Sequence, residues 1–85
     1  MNFPKFLIFS QGNKIVKIFS FEHFEEYTKM GGTYFHQNFQ VKTHADRLYV
    51  MDLLNSGEVH FIDEIRYETV KNEMISSLKH MPNKD

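Results

Sequence analysis

Residues 5–20 read Lys5-Phe-Leu-Ile-Phe-Ser-Gln-Gly-Asn-Lys-Ile-Val-Lys-Ile-Phe-Ser20, two β-favouring runs around a Gly12-Asn13 pair. That is the pattern of a β-hairpin with a two-residue loop. With such a loop Gln11 faces Lys14 and Leu7 faces Ile18. Leu7, Phe9, Val16 and Ile18 then share one face, and Phe6, Ile8, Ile15, Lys17 and Phe19 share the other. Both faces are apolar. A small domain covers one side of a sheet more easily than two, so the Phe6/Ile8/Ile15/Phe19 face reads as a contact surface for another chain. The competing reading puts one helix on each side of the sheet and makes the same residues ordinary core.

The chain has 85 residues, which fits one domain and not two. Nine Phe and four Tyr supply large buried areas that compensate for the small size and argue against disorder. The absence of cysteine excludes disulfides, thiolate metal sites and a cysteine nucleophile, and fits a cytoplasmic protein. The apolar run after Lys5 is too short for a signal peptide, and nothing approaches a membrane span. The formal net charge is -1, unevenly spread. Lys5, Lys14 and Lys17 make the first hairpin basic, whereas Glu58, Asp63, Glu64, Glu68 and Glu73 outweigh Arg66 and Lys71 further on. The richness in Lys, Phe, Ile and Asn is that of AT-rich bacterial or phage genomes.

Downstream of the hairpin, Ser20 is placed to cap a helix from Phe21. Glu22, Glu25 and Glu26 lie near the start of that helix, Lys29 near its end, and Gly31-Gly32 stops it. Thr33 to Thr43 alternates with period two, with Phe35, Phe39 and Val41 on one side, and reads as a half-buried strand. Asp46 to Asn55 is double-valued. Leu48 and Met51, with Leu53 or Leu54, fit one side of a helix ended by Gly57, but Leu48-Tyr-Val-Met51 is β-rich and Asn55-Ser-Gly57 resembles a three-residue hairpin loop. A strand is therefore expected, followed by a strand at Glu58–Ile62. Asp63 caps a last helix with Tyr67, Val70, Met74, Leu78 and Met81 on one face, Pro82 as its stop, and a frayed tail at 82–85. The expected fold is α+β, one antiparallel sheet of about five strands with two helices in the order ββαβββα. Its register sets Gln37, Asp52 and His60 in one row across the sheet.

Asp52 and His60, with Gln37, form the arrangement most like chemistry, because a carboxylate orients an imidazole and raises its basicity. No nucleophile accompanies them, so a structural polar pair is the plainer reading and no catalytic residues are assigned. The five histidines have no metal-ligand spacing, and no metal or cofactor is expected. Gly31-Gly32 follows a helix instead of opening one, which argues against phosphate binding. Phe6 and Phe19, interleaved on the Lys17 face of the basic hairpin, could stack bases while the lysines meet phosphates, but three lysines are few. Asp63, Glu64 and Glu68 also stand at the start of the last helix, where a double-stranded RNA binder presents cations.

The expectation is thus a non-enzymatic protein-binding regulator or accessory protein of phage or mobile-element origin, forming a homodimer or binding another protein. Its contacts would run through Phe6, Ile8, Ile15, Lys17 and Phe19 and the acidic last helix, without a membrane. The alternatives are a nucleic-acid-associated protein using the basic hairpin and, third, a small enzyme using Asp52 and His60.

Overall fold

In the computed structural model, which describes residues 2–80, the first hairpin forms from the residues that favour it: β1 (Lys5–Phe9) and β2 (Lys14–Ser20) pair antiparallel. The loop is longer than expected, Ser10 to Asn13, closed by the Gly12 N–H donating to the Phe9 carbonyl at 2.8 Å. Gly12 has φ +72°, a conformation open to glycine at little cost. Leu7 now faces Val16 and Ile8 faces Ile15, a register two residues away from that of a Gly12-Asn13 turn. Because side chains alternate with period two, an even shift leaves every residue on its expected face.

The segment expected to be a helix from Phe21 is a strand, β3 (His23–Met30), followed by β4 (Thr33–Gln40). The Ser20 hydroxyl accepts from the Glu22 N–H at 3.1 Å and shapes a tight turn instead of capping a helix. Gly31-Gly32 is the two-residue loop of the β3–β4 hairpin, with Met30 paired to Thr33 and Gly31 at φ +60°. A Gly-Gly pair serves such a turn as well as it ends a helix. In the strand, Phe24, Glu26 and Thr28 point one way and His23, Glu25 and Tyr27 the other, so both faces of β3 find neighbours on β2 and β4.

The second correction concerns residues 44–55, which form a helix, α1 (His44–Asn55), and not a strand. A capping box decides it. Thr43 Oγ1 accepts from the Asp46 N–H at 3.1 Å while Asp46 Oδ2 accepts from the Thr43 N–H at 3.2 Å. Val50 and Leu53 are the buried residues of α1. The chain then forms β5 (Val59–Ile62), the helix α2 (Glu64–Ser77) capped by Asp63, whose Oδ1 accepts from the Arg66 N–H at 2.7 Å, and a short β6 (Lys79–His80). Met81 on the helix face, the Pro82 stop and the tail at 82–85 lie outside the described residues.

Among the described residues the fold is α+β with a single sheet, of six strands rather than five, in the order β5-β1-β2-β3-β4-β6. It is mixed, because β6 runs parallel to β4 while the other pairs are antiparallel. β5 sits on the outer edge beside β1 and does not join a meander with residues 46–54, so the expected row dissolves. Each helix takes one face. On one, Leu7, Val16, Ile18 and Phe24 pack with Val50 and Leu53 of α1. On the other, Phe6, Ile15 and Tyr34 pack with Tyr67 and Met74 of α2. The one-helix-per-face arrangement therefore holds, and Phe6 at 9% and Ile15 at 0% exposure are core, not contact surface. Among the described residues no helix is long and apolar enough to cross a membrane.

Candidate binding cleft and the paired glutamates of β3

Two consecutive acids, Glu25 and Glu26, fall on opposite faces of the sheet, as strand alternation requires. Each meets a tyrosine hydroxyl from the helix on its own side. Under α2, Tyr67 donates to Glu25 Oε1 at 3.1 Å, and the other oxygen, Oε2, lies 3.0 Å from His36 Nε2. The Tyr27 ring stacks on His36 with centroids 4.3 Å apart. Under α1, Tyr49 donates to Glu26 Oε2 at 2.9 Å while Lys14 Nζ lies 3.4 Å from Oε1. Glu26 is buried, so both contacts offset the cost of taking a carboxylate out of water. Burial first, and then the neighbouring glutamate, pushes the phenols of Tyr67 and Tyr49 well above their usual range.

Beside Tyr49 the α1 face opens into a cleft of about 370 Å³, lined by Phe24, Phe39, Gln40, Asp46 and Tyr49. Phe24 and Phe39 are cross-strand partners whose rings stack with centroids 4.8 Å apart, and Tyr49 tilts against Phe24 at 5.7 Å. The capping box at the start of α1 fixes Asp46 at one wall. Backbone hydrogen bonds from Lys42 and Thr43 hold its carboxyl below the usual range, working against some desolvation, so it is ionised at neutral pH. An apolar concavity with a few convergent polar groups is the general form of a ligand site.

The sequence-designated residues fare differently. Phe6 and Ile15 lie under α2, and Ile8 packs half-buried against the same cluster. Lys17 Nζ stands over two rings, 5.5 Å from the centre of Phe6 and 4.7 Å from that of Phe19, and Phe19 stacks on His23 at 4.4 Å. Lys14 pairs with Glu26 and also lies over Phe9, and Lys5 lies over Phe61. The hairpin lysines are thus engaged with rings or a carboxylate instead of forming a free basic patch.

Asp52 is on exposed α1, His60 on β5 and Gln37 on β4 beside Glu26, so the three do not meet. His60 Nε2 lies 3.2 Å from Ser10 Oγ, but that hydroxyl donates its proton to the Glu58 carbonyl at 2.8 Å. The imidazole must therefore donate to Ser10, the reverse of what a general base does. His60 and His36 lie at opposite ends of one row that runs through Ile8, Ile15 and Tyr27. With about 4.8 Å per strand they are roughly 19 Å apart and cannot share a site. Among the described residues no group of three or more His, Asp or Glu side chains is placed to hold a metal ion.

Tyr49, Phe24, Phe39, Asp46 and the Glu25/Glu26 pair carry no functional expectation from the sequence. The Thr43-x-x-Asp46 spacing was the signal for the cleft, because it starts the helix that carries Tyr49. Comparisons with protein-family models, with characterised proteins and with solved structures return no match for this chain.

Proposed function

We propose that the chain is a non-enzymatic protein-binding module whose contact site is the cleft between α1 and the β3–β4 hairpin, not the first hairpin. The observation that carries this reading is the aromatic lining of the cleft. Phe24, Phe39 and Tyr49 surround a space of about 370 Å³, large enough for one side chain of a partner. Tyr49 is 42% exposed although its hydroxyl is fixed on Glu26, so its position is held while its flank stays open. A ring locked in place loses little freedom on binding, which favours association.

Two adjacent exposed residues of β4 provide the test, since Gln37 is on the α1 face and Asn38 on the other. Peptides selected against the protein from a random displayed library should lose binding to Gln37→Trp, which sets a bulky ring on the cleft's face two residues from Phe39, and keep binding to Asn38→Trp. Failure to select any peptide, or selected peptides that ignore Gln37→Trp but respond to Asn38→Trp, would overturn the reading.

A further inference from the structure

Hydrogen-bond capacity at the cleft leans toward acceptors. The Tyr49 proton is committed to Glu26, which leaves its oxygen able to accept only. Asp46 spends Oδ2 on the N–H groups of Lys42 and Thr43, and Oδ1 accepts neither of these bonds. The remaining lining is Phe39 and Tyr49 over a nearly buried Phe24, together with Gln40, whose amide can donate as well as accept; no lysine or arginine is among these residues, although the Lys42 charge reaches Asp46 from outside the lining. Behind Tyr49 stands the buried carboxylate of Glu26, whose partner Lys14 approaches its other oxygen. An anion entering here would meet the carboxylate of Asp46, and a purely apolar group would strip water from Asp46 without replacing it. A planar cation that donates hydrogen bonds at its edge and lies on a ring suits Asp46, Tyr49 and the carbonyl oxygen of Gln40.

Resting on the cleft as the binding site, we infer that its occupant is an arginine side chain of a partner polypeptide, the guanidinium lying against the open flank of Tyr49 and donating to Asp46. Guanidinium suits the place better than ammonium. A flat face can lie on the exposed ring of Tyr49, and its edge presents donors to Oδ1 of a carboxylate held rigid by the capping box.

The test is a two-dimensional NMR titration at low ionic strength with three capped tripeptides, Gly-X-Gly, in which X is arginine, lysine or citrulline. Citrulline keeps the shape of arginine and removes its charge. Arginine should shift the amides of Phe24, Phe39, Gln40, Asp46 and Tyr49 and bind about tenfold tighter than citrulline, as expected when a cation–π contact and a charge-assisted hydrogen bond are lost together. Asp46→Asn, which can still accept the two backbone bonds, should bring arginine down to the affinity of citrulline. Gln37→Lys should do the same without touching the helix cap. Arginine and citrulline binding equally in the cleft would overturn the cation while leaving the cleft as the site. Lysine matching arginine would overturn guanidinium as the group recognised. Absence of any shift at these residues, with peptides selected from the displayed library still binding there, would overturn the arginine inference alone; if those peptides also fail, the cleft itself is refuted.

Discussion

The two faces of the sheet carry the same device in different surroundings. On each, a glutamate of β3 accepts a hydrogen bond from a tyrosine of the covering helix and has a basic partner on a neighbouring strand: Tyr67, Glu25 and His36 under α2, Tyr49, Glu26 and Lys14 under α1. What differs is coverage. Tyr67 is wholly buried, tilted against Phe6 at 5.2 Å, whereas Tyr49 is 42% exposed and borders an open cleft. The glutamates invert this pattern, since Glu26 is buried and Glu25 is not fully so. On the α2 face the tyrosine is the core and the carboxylate its polar anchor. On the α1 face the carboxylate is the buried strut and the tyrosine is the surface it presents. A shared contact chemistry thus serves packing on one side and presentation on the other.

Truncation should separate them most sharply. Tyr67→Ala removes a fully buried ring and leaves a void among Phe6, Ile15 and Met74, an expected loss of about 3–5 kcal/mol in urea unfolding. Phe6→Ser, which the contact-surface reading expects to leave the fold intact, should be similarly severe for the same reason. Tyr49→Ala should cost about 1–2 kcal/mol, because the ring is half in water and water can reach the carboxylate it leaves. Equal losses for Tyr49→Ala and Tyr67→Ala would break the distinction between the faces.

Removing only the hydroxyls sharpens the comparison. Tyr67→Phe strips a buried donor from Glu25 and should cost about 1–2 kcal/mol, and Tyr49→Phe about 1 kcal/mol or less. The bonds share no partner, so the double variant should lose the sum of the two, and a coupling well above about 0.5 kcal/mol would show the faces communicating through the strand. The same variants change the pH profile. In the folded state the phenols of Tyr67 and Tyr49 are raised from an ordinary value of 10.0, so the unfolded chain ionises first. Their contribution is complete below pH 10 and declines as pH rises beyond it toward the folded values. The urea midpoint of the parent should fall between pH 9.5 and 11 more steeply than that of the double Phe variant.

These pairs also mark how far the sequence could be read. The first hairpin, β5 and α2 with its Asp63 cap were legible, because β-branched alternation and a cap before a helical stripe each have one reading. Glu25-Glu26 had two. Read at helical period, the acids near Ser20 complement a helix N-terminus. Read at period two, they divide between the faces of a strand, and only pairing with both β2 and β4 selects the second reading. The segment 46–54 failed in the opposite sense. Leu48, Tyr49, Val50 and Met51 suit a strand locally, but the capping box from Thr43 starts a helix and Val50 with Leu53 finds the core. The cleft was invisible for that reason, since it exists only where a helix carrying Tyr49 lies beside Phe24 and Phe39. Coverage of the second hairpin face depended on where the chain places its helices after β4, which no local pattern encodes.

The smallest expected effect is on the outer side of α1, and it tests whether that helix keeps presentation apart from packing. Leu48 and Met51 are 47% and 45% exposed, and the core takes Val50 and Leu53 from the same helix. Replacing Leu48 by Ser and Met51 by Gln removes apolar surface that is already largely wet, so each should alter stability by no more than about 0.5 kcal/mol. Val50→Ala, one position away, should cost far more because its side chain is fully buried. Neither exposed residue lines the cleft, so peptide binding there should also be unchanged in both surface variants. A loss above about 1 kcal/mol at Leu48 or Met51 would mean that α1 is sunk more deeply against the sheet than its exposed side implies. Tyr49 would then be packing material like Tyr67, and the contrast between the two faces would disappear.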